Sequence, residues 1–212
     1  TYTDLYYTDP VNLGNPDLRP ERASTFEAGI RMVREPGSRG GELRVQANLF
    51  HRASRNLIDW SRADAASPWK PENLLRTTTL GVETSVAWSN VESATTARAG
   101  RLHASLSHAW LRSQASERAE GTSRYALEHL RHHLTAAMSV NLGRSIQLTS
   151  RFHVFDRVNL PSYALLHADL AWIRGRYAFR FDGQNLLDTA YRETNLVPMP
   201  GRWLKGGVEI RI

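Results

Sequence analysis

The chain has 212 residues and a formal net charge of +6, from 27 lysines and arginines against 21 aspartates and glutamates, with no cysteine. The missing thiols exclude a disulfide framework and thiolate metal sites, and no apolar run reaches the roughly 18 residues that a membrane helix needs. Only Lys70 and Lys205 are lysines, so the basic character is arginine, which suits phosphate and carboxylate groups. These arginines form no stripe, and no helix-turn-helix, zinc-finger or RNA-binding sheet motif accompanies them, which points away from nucleic acid.

Taken in order, the chain opens on TYTDLYY without an initiator methionine or a basic-then-apolar signal segment, the pattern of a piece cut from something longer. Nine strands follow, each with one apolar parity. They run over 22–34 (Phe26, Ala28, Ile30, Met32), 41–52 (Leu43, Val45, Ala47, Leu49) and 76–89 (Leu80, Val82, Val86, Trp88). Next come 100–112 (Leu102, Ala104, Leu106, Trp110), 132–142 (Leu134, Ala136, Met138, Val140) and 145–156 (Ile146, Leu148, Phe152, Val154). The last three are 164–173 (Leu166, Ala168, Leu170, Trp172), 177–186 (Tyr177, Phe179, Phe181) and 203–212 (Leu204, Val208, Ile210, Ile212). Helical potential is confined to residues 123–134, which lead straight into an alternating pattern.

The opposite parity is polar and often small, as in Arg44, Gln46 and Asn48 or His103, Ser105 and Ser107. A solvated sandwich face or the lumen of a wide barrel would both read this way. Connection lengths separate the two. Residues 35–40, 90–99, 143–144 and 174–176 are the shorter links, and they alternate with longer ones at 53–75, 113–131, 157–163 and 187–202. Short turns on one side and long loops on the other are the habit of an up-and-down barrel in an outer membrane. Trp88, Trp110, Trp172 and Tyr177, on the apolar parity near strand ends, fit the aromatic girdles of such a barrel; Trp203 has the other parity and does not.

Four stretches resemble TonB-dependent outer-membrane receptors. GNPDLRPERASTFEAGI (14–30) resembles the opening of a late barrel strand, and TTTLGVETSVAW (77–88) is similar to the strand carrying Gly-Val-Glu. DGQNLLDTAY (182–191) resembles the penultimate strand, and PGRWLKGGVEIRI the final one, although Ile212 stands where the family ends on phenylalanine. The resemblance implies an all-β, antiparallel up-and-down transmembrane β-barrel portion, about nine strands of a 22-stranded, plugged family barrel. Residues 1–212 would be its C-terminal portion, with the plug and earlier strands elsewhere in the parent chain. The outward parity would meet lipid, since inside a bilayer only helices and closed barrels pair every backbone group. The first and last strands would then need partners, through curling into a narrower ring, joining of two copies or the remaining chain; TYTDLYY could add at most a short tenth strand.

The function implied is import of a scarce ligand (siderophore, cobalamin or similar) with TonB-supplied energy across the outer membrane of a Gram-negative bacterium. The implied partners are outer-membrane lipid and lipopolysaccharide, the imported ligand, the plug and remaining strands, and the TonB complex through the parent. No cofactor and no enzymatic activity is implied, and no Gly-x-Ser-x-Gly, phosphate-binding glycine loop or His-Glu-x-x-His is present. Family haem receptors carry a histidine shortly before Asn-Pro-Asp-Leu; residues 1–14 have none, which points away from haem. In the loops read as external, Trp60, Arg62, Trp69, Tyr125, His129, Tyr191 and Arg192 are candidate ligand contacts. Glu83, Arg151, Arg180 and Asp182 belong to the lumen wall, as a channel surface or as mutual charge pairs. His129, His132 and His133 sit together as a polar loop base rather than a metal site. The competing function is a non-transporting β protein, either an adhesin barrel or a soluble binding sandwich.

Overall fold

A computed structural model describes residues 1–35, 41–90, 101–115, 122–123, 130–143, 145–158, 160–193 and 197–210. Its strands are β1 (Arg22–Arg34), β2 (Glu42–Arg62), β3 (Lys70–Ser89), β4 (Arg101–Ala115) and the short β5 (Thr122–Ser123). They continue as β6 (Leu130–Leu142), β7 (Ile146–Arg157), β8 (Tyr163–Arg174), β9 (Tyr177–Gln184) and β10 (Trp203–Ile210). The sheet order is β1-β2-β3-β4-β6-β7-β8-β9-β10, antiparallel throughout, so each long strand pairs with its neighbours in sequence. Such a meander follows from hairpin connections, which need no crossover.

Register carries the apolar parity across the whole sheet. Met32 faces Val45, Val45 faces Val86, Val86 faces Leu106 and Leu106 faces Ala136. Farther along, Leu148 faces Leu170 and Leu170 faces Phe181. Because side chains alternate with a period of two, a slip of one residue in any pair would have broken this continuity. The face is bare: Ile30 is 71% exposed, Leu106 50% and Val208 61%. A soluble sandwich would bury these positions under a second sheet, and among the described residues no second sheet exists.

Two expectations about length change. The strand expected over 41–52 runs on to Arg62, and the one expected from 76 starts at Lys70. Much of the supposed loop 53–75 is therefore a strand hairpin, and the connection itself is 63–69. Membrane crossing takes about 9–11 residues, so strands of 21 and 20 residues project well beyond the bilayer. The alternation fades after Ala53, and Asn56 has a positive φ of 57°; ASRNLIDWSR thus reads as loop even though its backbone stays paired. The opening TYTDLYY is not a strand but a helical turn, α1 (Tyr2–Tyr6), closed by a capping box in which the Thr1 hydroxyl and Asp4 serve each other's backbone.

The inner turns are tight. Gly143 and Gly175 have φ of 61° and 60°, which suits the reversals after β6 and β8. Among the described residues the sheet does not close into a narrow ring: β1 pairs only with β2 and β10 only with β9. Both edges keep unpaired backbone groups, as an arc of a larger barrel must.

Gly81 on β3 makes room for a ring: a Cβ there would overlap the Phe50 side chain. Gly81→Val should destabilise the barrel by about 1–3 kcal/mol through overpacking, measured as a lower urea midpoint, and Phe50→Ala in the same chain should recover much of that loss.

Candidate functional site

The polar parity forms the concave wall. Several of its charges are paired. Arg151 on β7 donates to Asp169 on β8 at 3.3 Å, and Arg180 on β9 donates to Glu209 on β10 at 2.8 Å. Asp182 lies in register between Asp169 and Lys205 and accepts from Gln184. Glu83 sits opposite Asn48 and Ala109, lines a shallow hollow with Ser85, Ser107 and Thr135, and has no ion pair among the described residues. Pairing thus accounts for Arg151 and Arg180, while Glu83 is left as a charge on the polar face. Asp169 and Glu209, the acidic halves of those pairs, lie on the polar parity of their strands and were legible only once the register was known.

Strand alternation splits the histidine group. His132 lies on the outward face, stacked on His108 with ring nitrogens 3.1 Å apart. His133 lies on the lumen wall, 3.3 Å from His153, and Thr135 bridges both rings at 3.2 Å. The expected cluster is therefore two separate pairs, and His129 falls outside the described residues. Beside His132 a register shift sets Arg131 against Asp156 in a two-point contact of 2.8 and 3.1 Å. The outward face thus turns polar toward its outer end, where a bilayer gives way to headgroups. Of the residues expected in an aromatic girdle, Trp88 (37% exposed), Trp172 and Tyr177 stand beside the short turns, whereas Trp110 lies farther along, between Val82 and His132.

On the lumen wall the rings continue upward. His133 stacks on Phe155 at 4.5 Å, Phe155 on Tyr163 at 4.9 Å and Tyr163 on Tyr191 at 4.8 Å, while His153 meets His167 edge-on. The last two rings of the stack line a cleft of 680 Å³ between residues 160–164 on one side and 189–192 with Pro198 and Met199 on the other. Tyr191 and Arg192, two of the expected ligand contacts, thus share one concave surface. Burial first, then Glu193 and Tyr163, push the Tyr191 phenol above its ordinary range, so it stays a neutral donor. Sequence reading missed Tyr163, the first residue of β8, because its parity was that of a polar wall and its neighbours in space come from β7 and the 185–202 loop.

Asn185 builds that loop. It is 3% exposed, donates through Nδ2 to the Thr189 and Pro200 carbonyls, and accepts from the Thr189 amide. The Thr189 hydroxyl in turn donates to the Ala164 carbonyl at the start of β8. Asp188 accepts from the Arg202 amide at 2.8 Å and so ties the loop's return to its start.

The other expected contacts lie on the projecting hairpin. Trp69 is buried, with the Arg62 guanidinium 4.5 Å over its ring and its backbone paired to Val11 and Leu13 of the N-terminal arm. Trp60 donates through its indole to Asp4 in the same arm. These residues clamp residues 1–21 onto the hairpin, aided by Asn73, which accepts from the Arg19 amide and donates to its carbonyl. Tyr125 lies outside the described residues. Within the arm, hydrogen bonds from Asn12, the Val11 amide and Tyr7 hold the Asp9 carboxyl down at about 2. A depressed carboxylate stabilises the fold above its unfolded value of 3.8 and loses that contribution as pH falls through about 2. The turn over residues 9–12 should therefore stay closed from neutral pH to about pH 4 and loosen below it, read by NMR titration of Asp9; a titration midpoint near 4 would count against this network.

Among the described residues no group of three or more histidine or acidic side chains is arranged to hold a metal ion. No helix is long and apolar enough to cross a membrane, which has no bearing on crossing by strands.

The family model for the β-barrel of TonB dependent receptor-like proteins matches residues 1–186. Over 83 residues the chain is 26% identical to the vitamin B12 transporter BtuB of Vibrio vulnificus (strain YJ016), which is 39% of this chain and 12% of that one. Its fold is similar to that of the copper transporter OprC, with a TM-score of 0.63 at 16% identity over 92% of this chain and 32% of the other. The chain thus spans about a third or less of the length of these relatives.

Proposed function

Since the chain belongs to the TonB-dependent receptor β-barrel family, we propose that it is the C-terminal arc of an outer-membrane receptor that imports a scarce small ligand. The observation that carries this reading is the two-faced meander, whose bare apolar face runs unbroken from β1 to β10 while the opposite wall holds paired charges and stacked rings. Such a surface has a natural solvent only in lipid, and its two open edges ask for more strands. The parent chain would supply those strands, a plug in the lumen and the segment through which the TonB complex delivers energy. Lipopolysaccharide would surround the outer ends of the strands in a Gram-negative outer membrane, and the projecting hairpin would stand above it.

The cargo class is a siderophore, cobalamin or similar solute, in line with the vitamin B12 and copper that the relatives' names carry. The outer mouth, with Tyr191, Arg192 and the exposed side of Trp60, is where such a solute would first meet this part of the wall. A strain carrying the full-length parent gene should accumulate the cargo in an energy-dependent way. Uptake should vanish when the TonB complex is deleted and binding at the surface should remain. Surface binding with no uptake under any growth condition would favour an adhesin barrel instead.

A further inference from the structure

The outward face changes character at the outer ends of β1, β2 and β3, where cross-strand register builds three successive rungs. Phe26, His51 and Leu80 form the lowest, Ser24, Ala53 and Thr78 the next, and Arg22, Arg55 and Arg76 the highest. Arg112 on β4 stands opposite Leu80 on the same face. All four arginines are exposed. Arg55 lies 13 residues beyond Glu42, and Arg76 lies 13 before Ser89. At the rise and tilt of barrel strands that is roughly 33 Å from the inner turns, about 8 Å above an apolar band about 25 Å tall. Headgroups occupy that depth, so the row sits above the acyl chains and below open water.

Three like charges in direct register on strands about 4.8 Å apart repel one another. Among the described residues Arg22, Arg55 and Arg112 make no ion pair. The acidic groups next along the chain and the ladder are engaged elsewhere. Glu21 accepts from the Ile58 amide at 2.6 Å; Asp59 and Glu72, two rungs farther out, accept from the Trp60 amide and the Ser61 hydroxyl. Beneath the arginines the exposed Ser24, Ala53 and Thr78 leave an open step of small side chains. We propose that this row seats the headgroup phosphate of an outer-leaflet lipid, which in the proposed outer membrane is lipopolysaccharide. Guanidinium matches phosphate with paired, charge-assisted hydrogen bonds, and the Ser24 and Thr78 hydroxyls supply further donors. The acyl chains of the same molecule would run down Phe26 and Leu80 onto the apolar rung of Leu49 and Val82. That continuity of charge and apolar belt selects a lipid over a free anion. The inference rests on reading the chain as part of an outer-membrane barrel and gives that barrel a specific lipid seat.

The test is native mass spectrometry of the full-length parent chain in detergent, titrated with diphosphorylated lipid A, dephosphorylated lipid A and inorganic phosphate. The diphosphorylated form should bind about tenfold more tightly than the dephosphorylated one, the worth of one charge-assisted hydrogen bond. Arg55→Gln, at the centre of the row, and Arg22→Gln should each weaken it about tenfold. Arg52→Gln, on the polar face of the same strand, should leave it unchanged. In lipid-free detergent Arg55→Gln should raise the unfolding temperature, because a like-charge contact is gone. It should also lose the further rise that lipid A gives the wild type. A purely structural arginine would lower the first and keep the second, against the proposal. Equal binding of the two lipid A forms, or of wild type and Arg55→Gln, would overturn it. So would displacement of lipid A by millimolar inorganic phosphate, which would make this a site for a free anion. Lipid binding is measured without cargo or an energy source, so it can fail while uptake succeeds, or succeed while uptake fails.

Discussion

Arginine in place of Leu106 or Leu170 should cost the membrane-inserted barrel about 2–4 kcal/mol, whereas arginine at Ser107 should cost far less. Leu106 lies five residues beyond Arg101 at the inner end of β4. At the rise and tilt of barrel strands that is roughly 13 Å along the membrane normal, the middle of an apolar band about 25 Å tall. Leu170, four residues before Arg174, comes to roughly 10 Å by the same reasoning. Both side chains stand on the bare face, at 50% and 38% exposure. Ser107, by contrast, faces Ser85 and Thr135 on the lumen wall, where a guanidinium stays wet. The measurement is reversible unfolding of the full-length barrel in liposomes. Equal losses at Leu106 and Ser107 would mean that the two faces have been assigned the wrong way round, or that neither meets lipid.

Asn185→Ala should be at least as damaging, at about 3–4 kcal/mol. Three buried hydrogen bonds disappear with the carboxamide, and the Thr189 amide and the Thr189 and Pro200 carbonyls are stranded. Asparagine also tolerates the left-handed backbone found here, φ 47°, better than alanine does. Asn185→Gly separates the two contributions: it removes the hydrogen bonds but relieves the backbone, so it should be milder than alanine by about 1 kcal/mol. Because Thr189 fastens the loop to β8, the alanine variant should lose the shape of the outer cleft as well. A variant with native stability and an intact cleft would show that the loop is held by other contacts. The asparagine of the DGQNLLDTAY motif is, on this account, the keystone of the loop and has no need to touch cargo.

Much of this molecule is legible from the order of its residues. The period-two alternation marks the nine long strands, because a strand between lipid and a wet lumen must place unlike side chains on successive positions. Short inner links imply pairing between neighbours, and the ends of β1 were read to the residue. Single-strand patterns also put Arg151 and Arg180 on the polar face of the sheet. Three matters lay outside their reach. Beyond the membrane both faces of β2 and β3 meet water or protein, so alternation is no longer enforced and the hairpin to Arg62 reads as loop. Adjacent histidines look like one cluster in a line of letters, yet a strand sends His132 and His133 to opposite faces, and only the partners on β4 and β7 give each its neighbour. Finally, the cleft is made where Tyr163 at the start of β8 meets Tyr191 of the following loop, and no local pattern encodes a meeting of a strand end with a loop. Periodicity is a property of one strand and its solvents; a site belongs to the register between strands, which forms only when the sheet does.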